Sequence, residues 1–295
     1  MSVLKELLEL LRLERLEESL FRGQSQDLGW GTVFGGQVLG QAVSAAEQTV
    51  PVERRVHSLH GYFLRKGDTT KPIIYDVDRI RDGRSFTTRR VVAIQKGRPI
   101  FNLSASFQEP EEGLEHQVVM PSAPSPEDLL SERQLAQKFE EALPDWMRAR
   151  ALGEKPIEIR PVDPADPRDE PSAREPRRQA WFRASGELPE DPRVHQHLLA
   201  YASDFQLLGS PLQPHGVSWF SPGMQIASLD HAMWFHQPFR LDEWLLYDMD
   251  SPATSSGRGL ARGQFFTREG VLVASTAQEG LMRRWPSSPK DEGAG

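Results

Sequence analysis

The sequence has 295 residues, which exceeds the usual size of one domain and suits two units of roughly 110 residues with a connector. Its net charge of −7 gives no general reason to expect nucleic-acid binding, because phosphate contacts need a basic surface. The chain has no cysteine, which excludes disulfides, thiolate metal sites and a cysteine nucleophile.

The N-terminal residues have the pattern of an amphipathic helix. Leucines recur at helical spacing after Ser2, a favourable N-cap residue, so we expect a helix over the first twenty residues that docks on the body of the protein or on another subunit. Charged residues interrupt this stretch, and no run reaches the roughly 20 apolar residues of a membrane helix. By elimination we expect a cytoplasmic protein, and residues 287–295 have the composition of a frayed tail.

Residues 1–110 are predicted to form a first unit of one helix and several antiparallel strands. Gly35 and Gly36 introduce a helix of small residues from Gln37 to Ala46, which Pro51 ends. Strand patterns follow at residues 58–64, 73–80, 85–95 and 100–108, with hairpin turns between them. Residues 111–178 are rich in Pro, Glu, Asp and Arg and are predicted to be a connector with one short helix around Leu129 to Ala142.

Residues 179–286 are predicted to form a second unit with the same plan. Asp191 and Pro192 start a helix whose apolar stripe continues to Leu208, and strand patterns follow at residues 225–235, 243–250, 259–267 and 271–278. Landmarks of the two units recur about 170 residues apart: Ser58-Leu59 with Ser228-Leu229, and Tyr75-Asp76-Val77-Asp78 with Tyr247-Asp248-Met249-Asp250. So long a period is not that of a solenoid and indicates two fused copies of one small domain.

Three polar residues of the second unit are candidates for chemistry. Asp204 lies at the border of the helix's apolar stripe, where burial would raise the pKa of a carboxylate, although an aspartate there could equally face solvent. Ser228 precedes a strand and could be structural. Gln278 shares a strand face with Thr276, and a buried amide on that face would need partners.

Four stretches of the sequence resemble the acyl-CoA thioesterase II family. The stretches occur in the family's order at residues 35–41, 58–63, 230–236 and 273–280. The resemblance implies an α+β double hotdog, that is, two fused hotdog units, each with an antiparallel sheet wrapped around a central long helix. It also implies a catalytic group at Asp204, Ser228 and Gln278, with serine where the family has threonine. Serine keeps the hydroxyl but loses the methyl group that restricts its rotation.

The implied reaction is hydrolysis of acyl-CoA to a free fatty acid and coenzyme A without a cofactor. Asp204 would act as the base for a water that Ser228 and Gln278 orient. A backbone N–H at a helix N-terminus would stabilise the developing oxyanion, and the absence of a Gly-x-Ser-x-Gly motif argues against an acyl-enzyme. Contacts to the phosphates of coenzyme A could come from basic residues, namely Arg54, Arg55, Arg89, Arg90 and Arg258.

Other motifs are less consistent with a site. The glycines around Trp30 lack the βαβ context of a dinucleotide loop, and His195 and His197 point to opposite sides of their helix, which argues against a metal site with Asp204. His231 is of interest because it follows Ser228 closely.

Two alternatives to a hydrolase are an enoyl-CoA hydratase of the same fold and a non-catalytic acyl-CoA-binding module. The hydratase pattern has a histidine five residues after the aspartate, where this chain has Gly209. We expect a homo-oligomer, a dimer or tetramer. Because the first helix, Gln37 to Ala46, offers no carboxylate to match Asp204, we also expect one active site per chain.

Overall fold

The computed structural model describes residues 2–285, so the predicted tail at 287–295 lies outside the described residues. The helices are α1 (Val3–Leu11), α2 (Gly35–Glu47), α3 (Glu132–Lys138), α4 (Asp145–Leu152) and α5 (Pro192–Ser203). The strands are β1 (Glu14–Glu17), β2 (Leu20–Gly23), β3 (Arg55–Phe63), β4 (Ile73–Asp82), β5 (Phe86–Gln95), β6 (Arg98–Gln108), β7 (Ile157–Pro161), β8 (Arg177–Ala184), β9 (Met224–Ser228), β10 (Asp230–Phe235), β11 (Leu245–Ser255), β12 (Arg258–Thr267) and β13 (Leu272–Arg284).

The strands form one continuous antiparallel sheet in which the two repeats are mirror images in strand order. The order runs β1-β2-β4-β5-β6-β3 through the first repeat and β10-β13-β12-β11-β8-β7 through the second, with β9 added to β13. Strands β3 and β10 join the repeats, and His60 pairs with Ala232 at the junction. Because each strand is hydrogen-bonded to the next, including β3 to β10, the two repeats share one sheet. The domain boundaries proposed at residues 110 and 178 stay predictions.

The two long helices lie antiparallel against each other, and glycines allow their close approach. A Cβ on Gly36 would fall far inside van der Waals contact with the carbonyl oxygen of Tyr201, and one on Gly40 would lie 3.0 Å from the carbonyl oxygen of His197. Small residues at these positions therefore bring the backbones of α2 and α5 together. The first turn of α2 comes to lie beside the last residues of α5.

The N-terminal helix docks on the body of the protein, one of the two alternatives that its amphipathic pattern left open. Leu4, Leu7 and Leu11 are buried, and Leu11 lies against Gly40 of α2. Burial of each leucine contributes about 2 kcal/mol to stability. The helix is shorter than predicted because Arg12 takes an extended conformation, and β1 and β2 follow it.

Three further elements differ from the sequence-based expectation. The connector contains strand β7, which pairs with β8, and a second helix, α4. The predicted strand at 225–235 is split at Leu229, because the side chain of Asp230 accepts the backbone N–H of Glu279 at 2.6 Å. Helix α5 ends at Ser203, since Gln206 has a φ of 68° and a short 3-10 helix begins at Leu207. None of the helices within residues 2–285 is both long and apolar enough to span a membrane.

Candidate active site

Asp204 stands at the C-cap of α5, one residue beyond the helix in which the sequence placed it. The residue keeps some exposed surface, while its carboxylate is enclosed by the first turn of α2 from the other repeat. A Cβ on Gly35 would lie 2.6 Å from Asp204 Oδ2. The glycine therefore leaves the space that the carboxylate occupies, and the carboxylate bridges the two repeats.

The start of α2 supplies a hydrogen-bond donor to this carboxylate. The backbone N–H of Gly36 lies close enough to the Asp204 carboxylate to lower the pKa of that group. The N-cap residue, Phe34, makes no side-chain cap, whereas the third N–H of the helix, that of Gln37, donates to the Phe34 carbonyl, so Gly35 and Gly36 provide the N–H groups available to an anion. The positive end of the helix dipole also favours negative charge at this place. The sequence places Gly35 and Gly36 at the start of this helix and predicts a helix N-terminal N–H in the site, but it does not identify which N–H.

Gln278 is the second polar side chain that converges on Asp204. It is fully buried on β13, as the strand alternation predicts, and its Nε2 donates to Asp204 Oδ1 at 2.8 Å. The amide therefore fixes the direction of the carboxylate. Because β13 pairs with β10 and β12 in the sheet, this contact ties the helix end to the sheet.

Ser228 is the third, and its contact with Asp204 is weaker. It is the last residue of β9, and its hydroxyl interacts with the Asp204 carboxylate enough to lower the pKa of that group. Of the three groups that lower the pKa of Asp204, Ser228 has the smallest effect.

Burial raises the pKa of Asp204 above its ordinary value. The hydrogen bonds from Gln278, Gly36 and Ser228 each lower it and so offset part of that rise. The net direction is upward, because desolvation of the carboxylate is the largest effect. A carboxylate with a raised pKa is a stronger base, which suits it to take a proton from water near neutral pH.

His231 lies behind Gln278, on the neighbouring strand. Ala232 pairs with Ala277, and the next step of this register places His231 directly opposite Gln278 on the buried face. His231 Nε2 lies 3.0 Å from Ser203 Oγ. His231 Nδ1 and Gln278 Oε1 are both buried, and neither has a hydrogen-bond partner within residues 2–285. Burial lowers the pKa of His231 to about 4, so the ring is neutral.

We expect an Nδ1–H of His231 to hold the Gln278 amide so that its Nε2 faces Asp204. His231→Leu removes this donor and should lower kcat about tenfold with little change in KM, the size of one lost hydrogen bond. His231→Asn keeps an N–H near the position of Nδ1 and should retain most of the activity. Steady-state kinetics of both variants provide the measurement.

A double-mutant cycle separates this role from a general effect on folding. In a Gln278→Ala background, His231→Leu should cause no further fall in kcat, because the group that it orients is already absent. Equal losses in the wild-type and Gln278→Ala backgrounds would contradict the role.

The matching position of the first repeat does contain a carboxylate, contrary to the expectation from sequence. Helix α2 extends to Glu47, which is its thirteenth residue, and Asp204 is thirteenth from the start of α5. Glu47 is 2% exposed, but it is bound by His197 of α5. Gln108, the counterpart of Gln278, donates instead to Glu111 at 3.2 Å. Glu47 and Gln108 of the first repeat therefore do not contact each other as Asp204 and Gln278 do. One active site per chain stays a prediction, which now depends on these contacts and not on the absence of a carboxylate.

The other sequence candidates lie outside this group. Arg89 is 1% exposed and bound to Asp82, which excludes it as a contact for coenzyme A, whereas Arg90 and Arg258 are exposed and paired with carboxylates. His195 is held by backbone groups. Across residues 2–285, no group of three or more His, Cys, Asp or Glu side chains could hold a metal ion.

Comparison with known proteins places this arrangement in context. The family model described as acyl-CoA thioesterase matches residues 161–281, and the model described as acyl-CoA thioesterase N-terminal domain matches residues 25–108. Acyl-CoA thioesterase 2 of Haemophilus influenzae is 45% identical over 96% of this chain and 98% of its own length. Acyl-coenzyme A thioesterase 8 of Homo sapiens is 42% identical over 94% of this chain and 88% of its own length.

Solved structures agree with the sequence matches. The acyl-CoA thioesterase II TesB2 from Mycobacterium marinum superposes with a TM-score of 0.76 at 44% identity, covering 95% of this chain and 99% of its own. A hotdog-fold protein from Alicyclobacillus acidocaldarius gives 0.74 at 18% identity over 95% of this chain and 99% of its own, a likeness of fold alone. The fold is thus a double hotdog of the α+β class, as expected from the sequence.

Proposed function

Because the chain belongs to the acyl-CoA thioesterase II family and is a thioester hydrolase, we propose that it cleaves acyl-CoA by direct attack of water held by Asp204, Ser228 and Gln278. The products are a free fatty acid and coenzyme A. The observation that carries the assignment is the convergence of Gln278 and the Gly36 N–H on one carboxylate of raised pKa. A backbone donor at a helix N-terminus beside such a carboxylate is a favourable place for an anionic transition state.

The reaction needs one proton acceptor and no covalent intermediate. Asp204 takes a proton from the water as the water oxygen bonds to the thioester carbon, and the carbonyl oxygen becomes negative. Collapse of this intermediate breaks the C–S bond, and the thiolate of coenzyme A regains the proton from Asp204. Gln278 holds the carboxylate in line, and the Ser228 hydroxyl orients the water.

A thiol-release assay tests the proposed reaction. The protein is incubated with acyl-CoAs of different chain length and a thiol-reactive dye. We expect catalytic release of free coenzyme A in proportion to the fatty acid formed. Tight binding of acyl-CoA without release would instead indicate a binding module and would contradict the proposal.

Ser228 provides a prediction with a pH readout. Ser228→Ala should lower kcat about tenfold, whereas Ser228→Thr keeps the hydroxyl and should remain active. Since the base must be ionised, activity rises with pH through the pKa of Asp204. The serine lowers that pKa, so its removal should shift the rising limb of the kcat/KM profile to higher pH. Identical profiles for the wild type and both variants would show that the hydroxyl does not contact the reacting group.

The oligomeric state and the cellular location stay predictions. We propose a homo-oligomer, a dimer or tetramer, in the cytoplasm, with acyl-CoA as the substrate. Light scattering of the purified protein would measure the number of chains. A monomer at all concentrations would contradict the first prediction, and recovery with the membrane fraction would contradict the second.

A further inference from the structure

A cleft lined by aromatic side chains opens beside the candidate active site. It has a volume of about 460 Å³, within the usual range for small-molecule sites, and its lining consists of Trp30, Pro144, Trp146, Trp219 and Phe220. Water reaches all four aromatic side chains, with exposed fractions from 43% for Trp30 to 62% for Trp146. Large apolar groups concentrated in one open cleft indicate a surface that binds an apolar ligand.

Three separate parts of the chain build the walls. Trp30 belongs to the segment before α2, Pro144 and Trp146 belong to the connector, and Trp219 and Phe220 belong to the segment before β9. Trp146 and Phe220 touch edge to face, with ring centroids 6.0 Å apart. The connector therefore contributes a wall between the two repeats, a role that its composition did not suggest.

An unbroken aromatic path connects this cleft with Asp204. Trp30 lies 5.6 Å from Phe34, and the Phe34 ring stacks on Phe205 at 4.3 Å between centroids. Phe34 precedes Gly35, which touches the Asp204 carboxylate, and Phe205 directly follows Asp204. The Phe34 and Phe205 rings therefore lie between the cleft and the residues next to Asp204.

The charge of the lining decides which part of the substrate fits. None of the five lining residues is ionisable, so the walls offer no cation to the phosphates of coenzyme A. The Arg150 guanidinium lies over the Trp30 ring, 3.6 Å from its centroid, so this cation is held against the ring by a cation–π contact. The five uncharged lining residues match an uncharged hydrocarbon chain.

We propose that this aromatic cleft binds the distal part of the substrate's acyl chain. The proposal rests on the proposed function, because it assumes a thioester carbon at Asp204. Each methylene buried in the cleft strengthens binding by up to about fourfold. The lining residues thereby favour long acyl chains over short ones.

Binding of thioether analogues of acyl-CoA tests the proposal without hydrolysis. Butyl-CoA and dodecyl-CoA thioethers have no cleavable thioester, and their Kd is measured by calorimetry. The wild type should bind the dodecyl compound on the order of 100-fold more tightly. Trp146→Ala and Trp219→Ala should each weaken dodecyl binding about tenfold and butyl binding less than twofold. Phe86→Ala removes an aromatic side chain of equal exposure to Trp30 on β5 and should change neither Kd.

Other outcomes overturn the proposal or separate it from the proposed reaction. Equal weakening for both chain lengths, or no weakening, would show that the chain lies elsewhere. Dissociation of an oligomer in the tryptophan variants, with chain-length dependence intact, would assign the cleft to contact between copies and overturn the proposal. Chain-length-dependent binding without thiol release from dodecanoyl-CoA would support the cleft but contradict the hydrolase.

Discussion

Asp204→Asn should lower kcat for acyl-CoA hydrolysis about 1,000-fold, since removal of a general base costs two to four orders of magnitude. The amide cannot take a proton from water, yet it occupies the same space beside Gly35 and can still accept a hydrogen bond from Gly36. KM and the folded structure should change little. The thiol-release assay, with circular dichroism and the thermal midpoint of unfolding as folding controls, provides the measurement.

Glu47→Gln is the matched control for this prediction. Glu47 is the corresponding carboxylate of the first repeat and is bound by His197. Its replacement should leave kcat near the wild-type value. If Asp204→Asn retained full activity, the base would be misassigned. A large loss in a folded Glu47→Gln variant would mean that the second carboxylate also takes part.

Gly36→Ala should reduce the free energy of unfolding by about 3 kcal/mol, the upper end of the usual cost of overpacking. The added methyl group would overlap the Tyr201 carbonyl oxygen and the Phe34 ring and would force α2 and α5 apart. In an open helix the same change would be stabilising, because alanine has the higher helix propensity. The separation should also draw the Gly36 N–H away from Asp204 and lower kcat. Urea unfolding and the thiol assay measure the two effects.

Gly113→Ala is the control for the glycine effect. A Cβ at Gly113 would meet nothing within 4 Å. We expect unchanged unfolding and unchanged activity. A Gly36→Ala protein as stable as the Gly113→Ala protein would contradict the close contact between the two central helices.

The sequence predicts most of the elements whose patterns are local. The four strands predicted for the first repeat, found as β3 to β6, and the start of α5 at Pro192 lie within a few residues of their predicted positions. The pattern does not reveal β7, because a strand of five residues, of which Ile157, Ile159 and Pro161 are buried, forms through its long-range pairing with β8. Strand β1 has no buried side chain, so it leaves no apolar alternation to detect.

The candidate site is predictable in its residue types but not in its assembly. The family resemblance indicates Asp204, Ser228 and Gln278, and the structure brings these three together. The Gly36 N–H belongs to the first repeat, whereas Asp204 belongs to the second. The sequence pattern of one repeat cannot predict a contact between helices of two repeats. The expectation that the first helix offers no carboxylate depended on ending that helix at Ala46, one residue before Glu47, and propensity does not resolve one residue at a helix end.

Because both repeats contribute to the site, the covalent link between them should keep the site assembled at low protein concentration. The base comes from α5 and its backbone donor from α2, so a pair of separate single-repeat chains would assemble this group only while they remained associated. A covalent connection replaces that bimolecular equilibrium with a fixed effective concentration, typically in the millimolar range for short linkers. The continuous pairing of β3 with β10 adds to this tether. The specific activity per chain should therefore stay constant at protein concentrations far below those at which a dimer of separate repeats would dissociate.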